Sequence, residues 1–234
     1  MIRTLLFSAA LAAAVGCGGA AEPGPQPLRH HLEDKHVAQV DMAEKQEMLA
    51  AQSAYNKAKA EKMKAEADFE DVKTKLELAK NEKKQAAISK DSASTKKESA
   101  NDSGDNTRIN AAMRDDRVAE LGMRAAEQRV DTLEAKKSWL EKLIRYTDEN
   151  TYAAEAKYEL AKAKLARNHN ISPPGFAMQA FADQYDERSK RAQKAKLISD
   201  QKRQKWQEEE KDYQAKKAES DHARGVDTAT KGSK

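Results

Sequence analysis

The sequence predicts an all-α protein, built from a long antiparallel coiled-coil hairpin with a third helix folded along it. Charged residues make up 35% of the 234 residues, aromatic residues only 5%, and the mean hydropathy is −0.95. An ordinary compact core needs more apolar and aromatic side chains than this. Between Pro27 and Pro173 there is no proline, and the only glycines are Gly104 and Gly122. Alanine recurs every seven residues through much of that stretch, as in closely packed coiled-coil helices.

The N-terminus resembles a secretory signal, which we place at residues 1–16. Arg3 supplies its positive charge, and the apolar run that follows is about half of the ~20 residues that span a bilayer. The run ends at Ala14-Val15-Gly16-Cys17, which resembles the lipobox of bacterial lipoproteins, with Ala14 where Leu is usual. The resemblance implies that Cys17 carries acyl chains, including palmitate, that hold the protein on a membrane. The alternatives are cleavage after Ala21 with export as a soluble protein, and an uncleaved cytosolic chain.

Cys17 is the only cysteine of the chain, so it cannot form an intramolecular disulfide. Gly18 follows it, and in the lipoproteins that the motif resembles an aspartate there signals retention in the inner membrane. The resemblance therefore implies an outer-membrane anchor facing the periplasm. Residues 17–29 contain three closely spaced prolines, which favour an extended, semi-rigid spacer between the lipid and the body.

Turn-forming residues divide the body into helices. We expect Asp105, Asn106 or Thr107 to cap the second helix, and Ser172 with Pro173 to open the third. The predicted elements are helix one at 30–98, a turn at 99–106, helix two at 107–168, a turn at 169–175, helix three at 176–222 and a disordered tail at 223–234.

The apolar stripes predict how the helices pair. If facing residue numbers add to 205, the alanine heptad of helix one faces the heptad of helix two, with Ala65 opposite Leu140. Helix two has a second stripe, which predicts a second neighbour. For helices two and three, numbers that add to 345 place Trp206 beside Trp139. The apolar positions of helix three thin out after Ile198, so we expect it to pack only in part.

The chain shows little catalytic or metal-binding chemistry. Its carboxylates alternate with lysines at helical spacing, as on a solvent-facing coil, and no nucleophile–base motif is present. We therefore expect no enzyme activity and no cofactor. His30, His31 and His36 form the one histidine cluster, but 31 and 36 are five apart, off the spacing that aligns ligands on one helical face. We expect a solvated helix start there, and no metal site.

The most uneven charge lies between Arg188 and Lys205, where one acid, Asp200, accompanies eight basic residues. Such a stretch favours a polyanion, for example lipopolysaccharide phosphates, anionic lipid or a wall polymer, or it is a solvated face paired with acids of the other helices. The eight candidate residues are Arg188, Lys190, Arg191, Lys194, Lys196, Lys202, Arg203 and Lys205. With the 169–175 turn near the lipid, this stretch should lie ~20–50 Å from the bilayer.

A lipid at one end, a coiled-coil body and the C-terminal Lys234 resemble the murein lipoprotein, whose terminal lysine is joined to peptidoglycan. The resemblance covers the termini and the coil pattern only. The function that we expect is an envelope lipoprotein acting as a structural spacer or interaction scaffold. Its partners would be envelope proteins, peptidoglycan or a second copy of the chain, and not nucleic acid. The alternatives are a periplasmic holdase-type chaperone and an accessory subunit of an envelope transport or secretion complex.

Overall fold

Three long helices make up most of the protein. The computed structural model describes residues 24–225, and no strand occurs in that part of the chain. Helix α1 spans Gln46–Ser103, α2 spans Asn106–Asn168 and α3 spans Met178–Ala223. α1 and α3 both pack against α2, which confirms the predicted all-α hairpin with a third helix along it. At a rise of ~1.5 Å per residue, the 63 residues of α2 make a rod about 95 Å long.

The hairpin turn forms the tip of this rod. Gly104 ends α1 with φ 69°, a left-handed conformation that glycine adopts without a steric penalty. The Asp105 carboxylate accepts hydrogen bonds from the backbone N–H groups of Thr107 (2.8 Å) and Arg108 (3.3 Å), so of the three candidates Asp105 is the N-cap of the second helix. The predicted turn at 99–106 was too long. α1 continues to Ser103, because two residues suffice to reverse the chain.

The alanine heptad of α1 forms the seam with α2, as predicted. Its buried members are Ala51, Ala58, Ala65, Val72, Ala79, Ala93 and Ala100. The predicted register was wrong by about one helical turn. The Thr151 hydroxyl donates to the Ala58 carbonyl over 3.4 Å, and the numbers of these two residues add to 209 rather than 205. The Lys62 amine lies 2.7 Å from Asp148, close to the same register. The cause is the tighter turn, which moves the midpoint of the hairpin towards Gly104 and Asp105.

The connection between α2 and α3 forms the opposite end of the rod, which we call the base. Asn170 has φ 56°, the Ile171 N–H donates to the Ala166 carbonyl, and the Asn170 N–H donates to the Arg167 carbonyl, a Schellman cap. Pro173 does not open α3, contrary to the prediction. Its carbonyl instead accepts from Phe176 N–H in a turn with Gly175 at φ 77°. This turn lets Phe176 pack against the base, and α3 begins only at Met178.

Helix α3 packs along α2 over nearly its whole length, so the expectation of partial packing was wrong. Near the middle, the Trp139 and Trp206 rings stack with centroids 4.8 Å apart, which confirms the predicted pair. Further along, the Thr132 hydroxyl donates to the Glu209 carbonyl over 2.9 Å. Beyond Ile198, α3 contacts α2 mainly through polar side chains. Hydrogen bonds such as this one, and those from Gln128 to Glu209 and from Lys216 to Gln128, hold the second half of α3 in place.

Residues 24–45, which we call the strap, differ most from the predicted structure. Helix one was predicted from residue 30, but these residues form an extended segment and two 3₁₀ turns, Asp34–His36 and Met42–Lys45. Leu28, Leu32, Val37 and Val40 are buried, three of them in an apolar cluster at the base with Ala163, Leu165, Ala166 and Phe181. Burying an aliphatic side chain contributes about 1.5–3 kcal/mol. This tertiary burial outweighs the helical propensity of the segment.

The part of the predicted 17–29 spacer that the structure describes is therefore docked on the rod. The predicted signal peptide, Cys17 and most of the predicted tail lie outside the described residues. Between residues 24 and 225, no helix is long and apolar enough to cross a bilayer.

Candidate functional site

The strap is held on the rod by side chains of α2 and α3 that bind its backbone. The Gln184 side-chain oxygen accepts from the N–H groups of Arg29 (2.8 Å) and His30 (2.9 Å), and its amide nitrogen donates to the His30 carbonyl (3.0 Å). Glu159 accepts from the Leu32 N–H over 2.8 Å. An extended segment has no hydrogen bonds of its own, so these side chains provide the partners that a helix or sheet would otherwise supply.

A buried ion pair supports this attachment. The Lys162 amine lies 2.7 Å from Glu159, and both side chains are almost completely buried. Lys162 also donates to the Leu32 carbonyl (2.6 Å) and to Asp34 (3.0 Å). Burial alone would lower the pKa of Lys162, but the hydrogen bonds to Glu159 and Asp34 outweigh it and raise the pKa. The amine is therefore charged at neutral pH, and removing either partner would leave a buried charge uncompensated.

Arg188, a member of the predicted basic stretch, binds the strap directly. Its Nη2 donates to the carbonyls of Gln26 (2.7 Å) and Pro27 (3.3 Å). Its guanidinium also lies over the Tyr152 ring, 5.6 Å from the centroid, and the residue is only 5% exposed. Arg188 is thus a structural clamp on the strap.

Two more arginines converge on one buried carboxylate next to this clamp. Glu149, 2% exposed, accepts from Arg145 (2.7 Å) and from Arg191 (3.0 Å) through the same oxygen. A Cβ atom placed on Gly24 would lie 3.9 Å from Nη1 of Arg145, so the first described residue of the strap lies beside this cluster. The cluster itself joins α2 to α3.

The other basic candidates lie on the surface of α3. Lys190 pairs with Asp186 and Lys196 with Asp200, each over 2.7 Å, and these hydrogen bonds raise the pKa of both lysines. Arg203 lies over the Trp139 ring at 6.0 Å, and Lys194 also has an interaction within the chain. The last two candidates, Lys202 and Lys205, line a groove with Asp131, Glu134 and Glu209. Polyanion binding by the stretch stays a prediction, and much of its charge has partners within the chain.

The three clustered histidines, His30, His31 and His36, lie in the strap and not at the start of a long helix, contrary to expectation. His31 Nε2 lies 3.1 Å from the Leu28 carbonyl, and the His30 ring packs 5.9 Å from that of Phe181. His169, in the connection at the base, lies 2.8 Å from Glu44. No group of three or more histidine, cysteine or acidic side chains that could hold a metal ion occurs within residues 24–225.

Two shallow grooves run where α1 and α3 flank α2. One, of ≈ 280 Å³, is lined by Ala54 of α1, Ala154 of α2 and Tyr185 of α3. The other, of ≈ 370 Å³, includes Gly122, where the guanidinium of Arg224 fills the space that a Cβ would take. Both grooves are open and shallow, so the docked strap is the most developed site that the structure describes.

Sequence reasoning missed the strap, although a signal for it is present. Leu28, Leu32, Val37 and Val40 are spaced four, five and three apart, which can be read as an imperfect helical stripe. The five-residue step breaks the helical period, and it coincides with the histidine cluster.

Comparison of the chain with protein-family models, curated proteins and solved structures found no match.

Proposed function

We propose that this chain is an exported lipoprotein, anchored through acyl groups on Cys17, whose helical rod serves as a non-catalytic spacer or protein-interaction scaffold at the cell envelope. The docked strap is the observation that carries the proposal. Arg188, Gln184 and the Glu159–Lys162 pair attach the strap to both α2 and α3. A lipid on Cys17, seven residues before Gly24, would therefore be coupled to the body of the rod.

The composition and the Ala14-Val15-Gly16-Cys17 motif support the same proposal. Stable membrane anchoring requires two or more acyl chains. A lipobox-like motif would direct the attachment of such chains to Cys17. Following the resemblance, we place the protein at the outer membrane, facing the periplasm. Envelope proteins or peptidoglycan are the proposed partners of the rod, whose length of about 95 Å offers a long lateral surface.

Substitution of the anchor tests the first half of the proposal. In a bacterial host, Cys17→Ser should abolish palmitate labelling, block processing of the precursor and release the protein from the membrane fraction. Ala20→Ser, three residues further on, is the matched control and should behave like the wild type. Unchanged membrane fractionation together with unchanged processing of Cys17→Ser would refute the anchor.

Hydrodynamic size and crosslinking test the second half. An elongated monomer or dimer in detergent is expected for a spacer or scaffold, and envelope crosslinking should then trap a defined neighbour along the rod. A compact, caged trimer would instead indicate a holdase, and stable recovery within a large complex would indicate an accessory subunit. Either result would replace the scaffold as the proposed function.

A further inference from the structure

The groove that contains Tyr185, which we call the Tyr185 groove, combines an apolar floor with polar rims. Ala153 of α2 and Ala192 of α3 line it and are buried, and Ala54 of α1 borders it on the other side. The polar lining residues, all from α2 and α3, are Tyr146, Asn150, Lys157, Tyr185, Ser189, Gln193 and Lys196. From Tyr146 to Lys157 the groove follows α2 for about 17 Å, at a rise of ~1.5 Å per residue.

Most of these polar side chains have no partner among the residues that the structure describes. The exception is Lys196, which pairs with Asp200 over 2.7 Å. The side chains without a hydrogen bond or ion pair in that part of the chain are those of Tyr146, Asn150, Lys157, Tyr185, Ser189 and Gln193. Four of the six are half-buried. A half-buried polar group gains free energy when a ligand provides the hydrogen bond that it lacks.

The other grooves of the rod are lined by side chains that satisfy one another or are more acidic. In the groove around Gly122, Arg129 pairs with Glu82. The groove that contains Lys202 is lined by three acids and two lysines. The Tyr185 groove is lined by two lysines and no acid. Its lining therefore favours a ligand that is rich in oxygen acceptors and carries negative charge.

We infer that the Tyr185 groove binds an N-acetylated glycan strand that carries carboxylates, which is the chemistry of the sugar chain of peptidoglycan. This inference rests on the envelope location proposed above, and it gives the rod a defined contact with the wall. The contact lies between α2 and α3, and the outer surface of the basic stretch is not required for it.

Each part of such a strand has a counterpart in the groove. Sugar hydroxyl and acetamido groups both donate and accept hydrogen bonds, as do the side chains of Asn150 and Tyr185. The acetyl methyl groups and the C–H faces of the sugar rings are apolar, so they suit the alanine floor and the tyrosine rings. The carboxylates suit Lys157, whose ammonium group forms charge-assisted hydrogen bonds.

The shape of the groove suits a polymer. Its volume of ≈ 280 Å³ lies just below the ~300–1,000 Å³ that is usual for pockets that enclose a small molecule. The groove is also open on the side of the rod. A short segment of a strand can therefore occupy it while the strand continues beyond both ends.

Co-sedimentation of the full-length protein in detergent with isolated sacculi tests the site. Asn150→Ala with Tyr185→Phe removes two hydrogen-bonding groups and keeps the aromatic ring, so it should weaken binding at least about tenfold. The matched control is Asn110→Ala with Tyr213→Phe, which changes the same residue types on the same two helices outside the Tyr185 groove. All of these variants should keep the circular dichroism spectrum of the wild type.

Salt and soluble competitors identify the part of the strand that is bound. Lys157→Ala should make binding less sensitive to salt, whereas Lys211→Ala, at an exposed position of α3, should not. Chitotetraose, an oligomer of N-acetylglucosamine without peptide or carboxylate, should compete with the sacculi. The free stem peptide should not compete. Competition by the peptide alone would overturn the assignment to the glycan.

Four results separate this inference from the proposed function. If the Asn150→Ala, Tyr185→Phe protein binds sacculi as tightly as the wild type, the inference is wrong. If it instead loses a crosslinked protein neighbour and still binds sacculi, the groove docks a protein and the inference is again wrong. If Cys17 is acylated but the protein does not bind sacculi, the inference fails and the lipoprotein proposal stands. If Cys17 carries no acyl group but chitotetraose still binds and Asn150→Ala weakens it, the glycan site stands and the lipoprotein proposal fails.

Discussion

Replacing Leu32 with alanine should loosen the strap without unfolding the rod. Leu32 is 5% exposed and packs in the base cluster with Ala163, Ala166 and Phe181. A buried Leu→Ala substitution costs about 2–5 kcal/mol, and we expect about 3 kcal/mol here. Neither the α1–α2 seam nor the Trp139–Trp206 stack involves Leu32, so the cost should fall mainly on local opening of the strap.

Amide hydrogen exchange reports that opening directly. The N–H groups of Arg29, His30 and Leu32 donate to Gln184 and Glu159, more than 120 positions away in the chain, so their protection depends on docking alone. Since ~1.4 kcal/mol corresponds to a factor of ten, Leu32→Ala should accelerate their exchange by about 150-fold.

The matched control is Leu197→Ala on α3, where the leucine is 61% exposed. It should leave the exchange of the three strap amides unchanged, because its side chain has little buried surface to lose. If these amides exchange at the rates of an unstructured peptide in the wild type, or equally fast in Leu32→Ala and Leu197→Ala, the strap is not docked as described.

Two further predictions concern the hairpin. In a Cys17→Ser background, Ala58→Cys with Thr151→Cys should form an intramolecular disulfide under mild oxidation. The control pair, Ala58→Cys with Ala119→Cys, should not. Equal yields of the two disulfides would reject the register of α1 against α2. Near the tip, hydrogen bonds from Lys90 (2.6 Å) and Lys97 (2.8 Å) hold the pKa of Asp116 well below its usual range. The carboxyl of the unfolded chain titrates near ~4, so the stabilisation by Asp116 is complete above that pH and is lost as the pH falls below it. Asp116→Asn should therefore make the melting temperature less dependent on pH on the acid side. Thermal unfolding followed by circular dichroism measures this dependence.

Features set by local sequence were predictable. The long helices follow from the absence of proline, a cap at Asp105, Asn106 or Thr107 from the turn-forming residues there, and the α1–α2 seam from the alanine heptad. The Trp139–Trp206 stack was predicted from the register of α2 against α3, in which the numbers of these two residues add to 345. The register of α1 against α2 was wrong by about one helical turn, because it depends on how tightly the chain turns, and several turn-forming residues before Gly104 remain helical.

The strap was not predictable in the same way, because its conformation depends on distant residues. Its backbone partners, Gln184, Glu159, Lys162 and Arg188, lie more than 120 positions along the chain in ordinary amphipathic helices. Nothing in their local sequence distinguishes them from solvent-facing residues. Arg188 illustrates the difficulty, since the run of positive charge around it suggested a surface site, whereas the residue is buried under the strap.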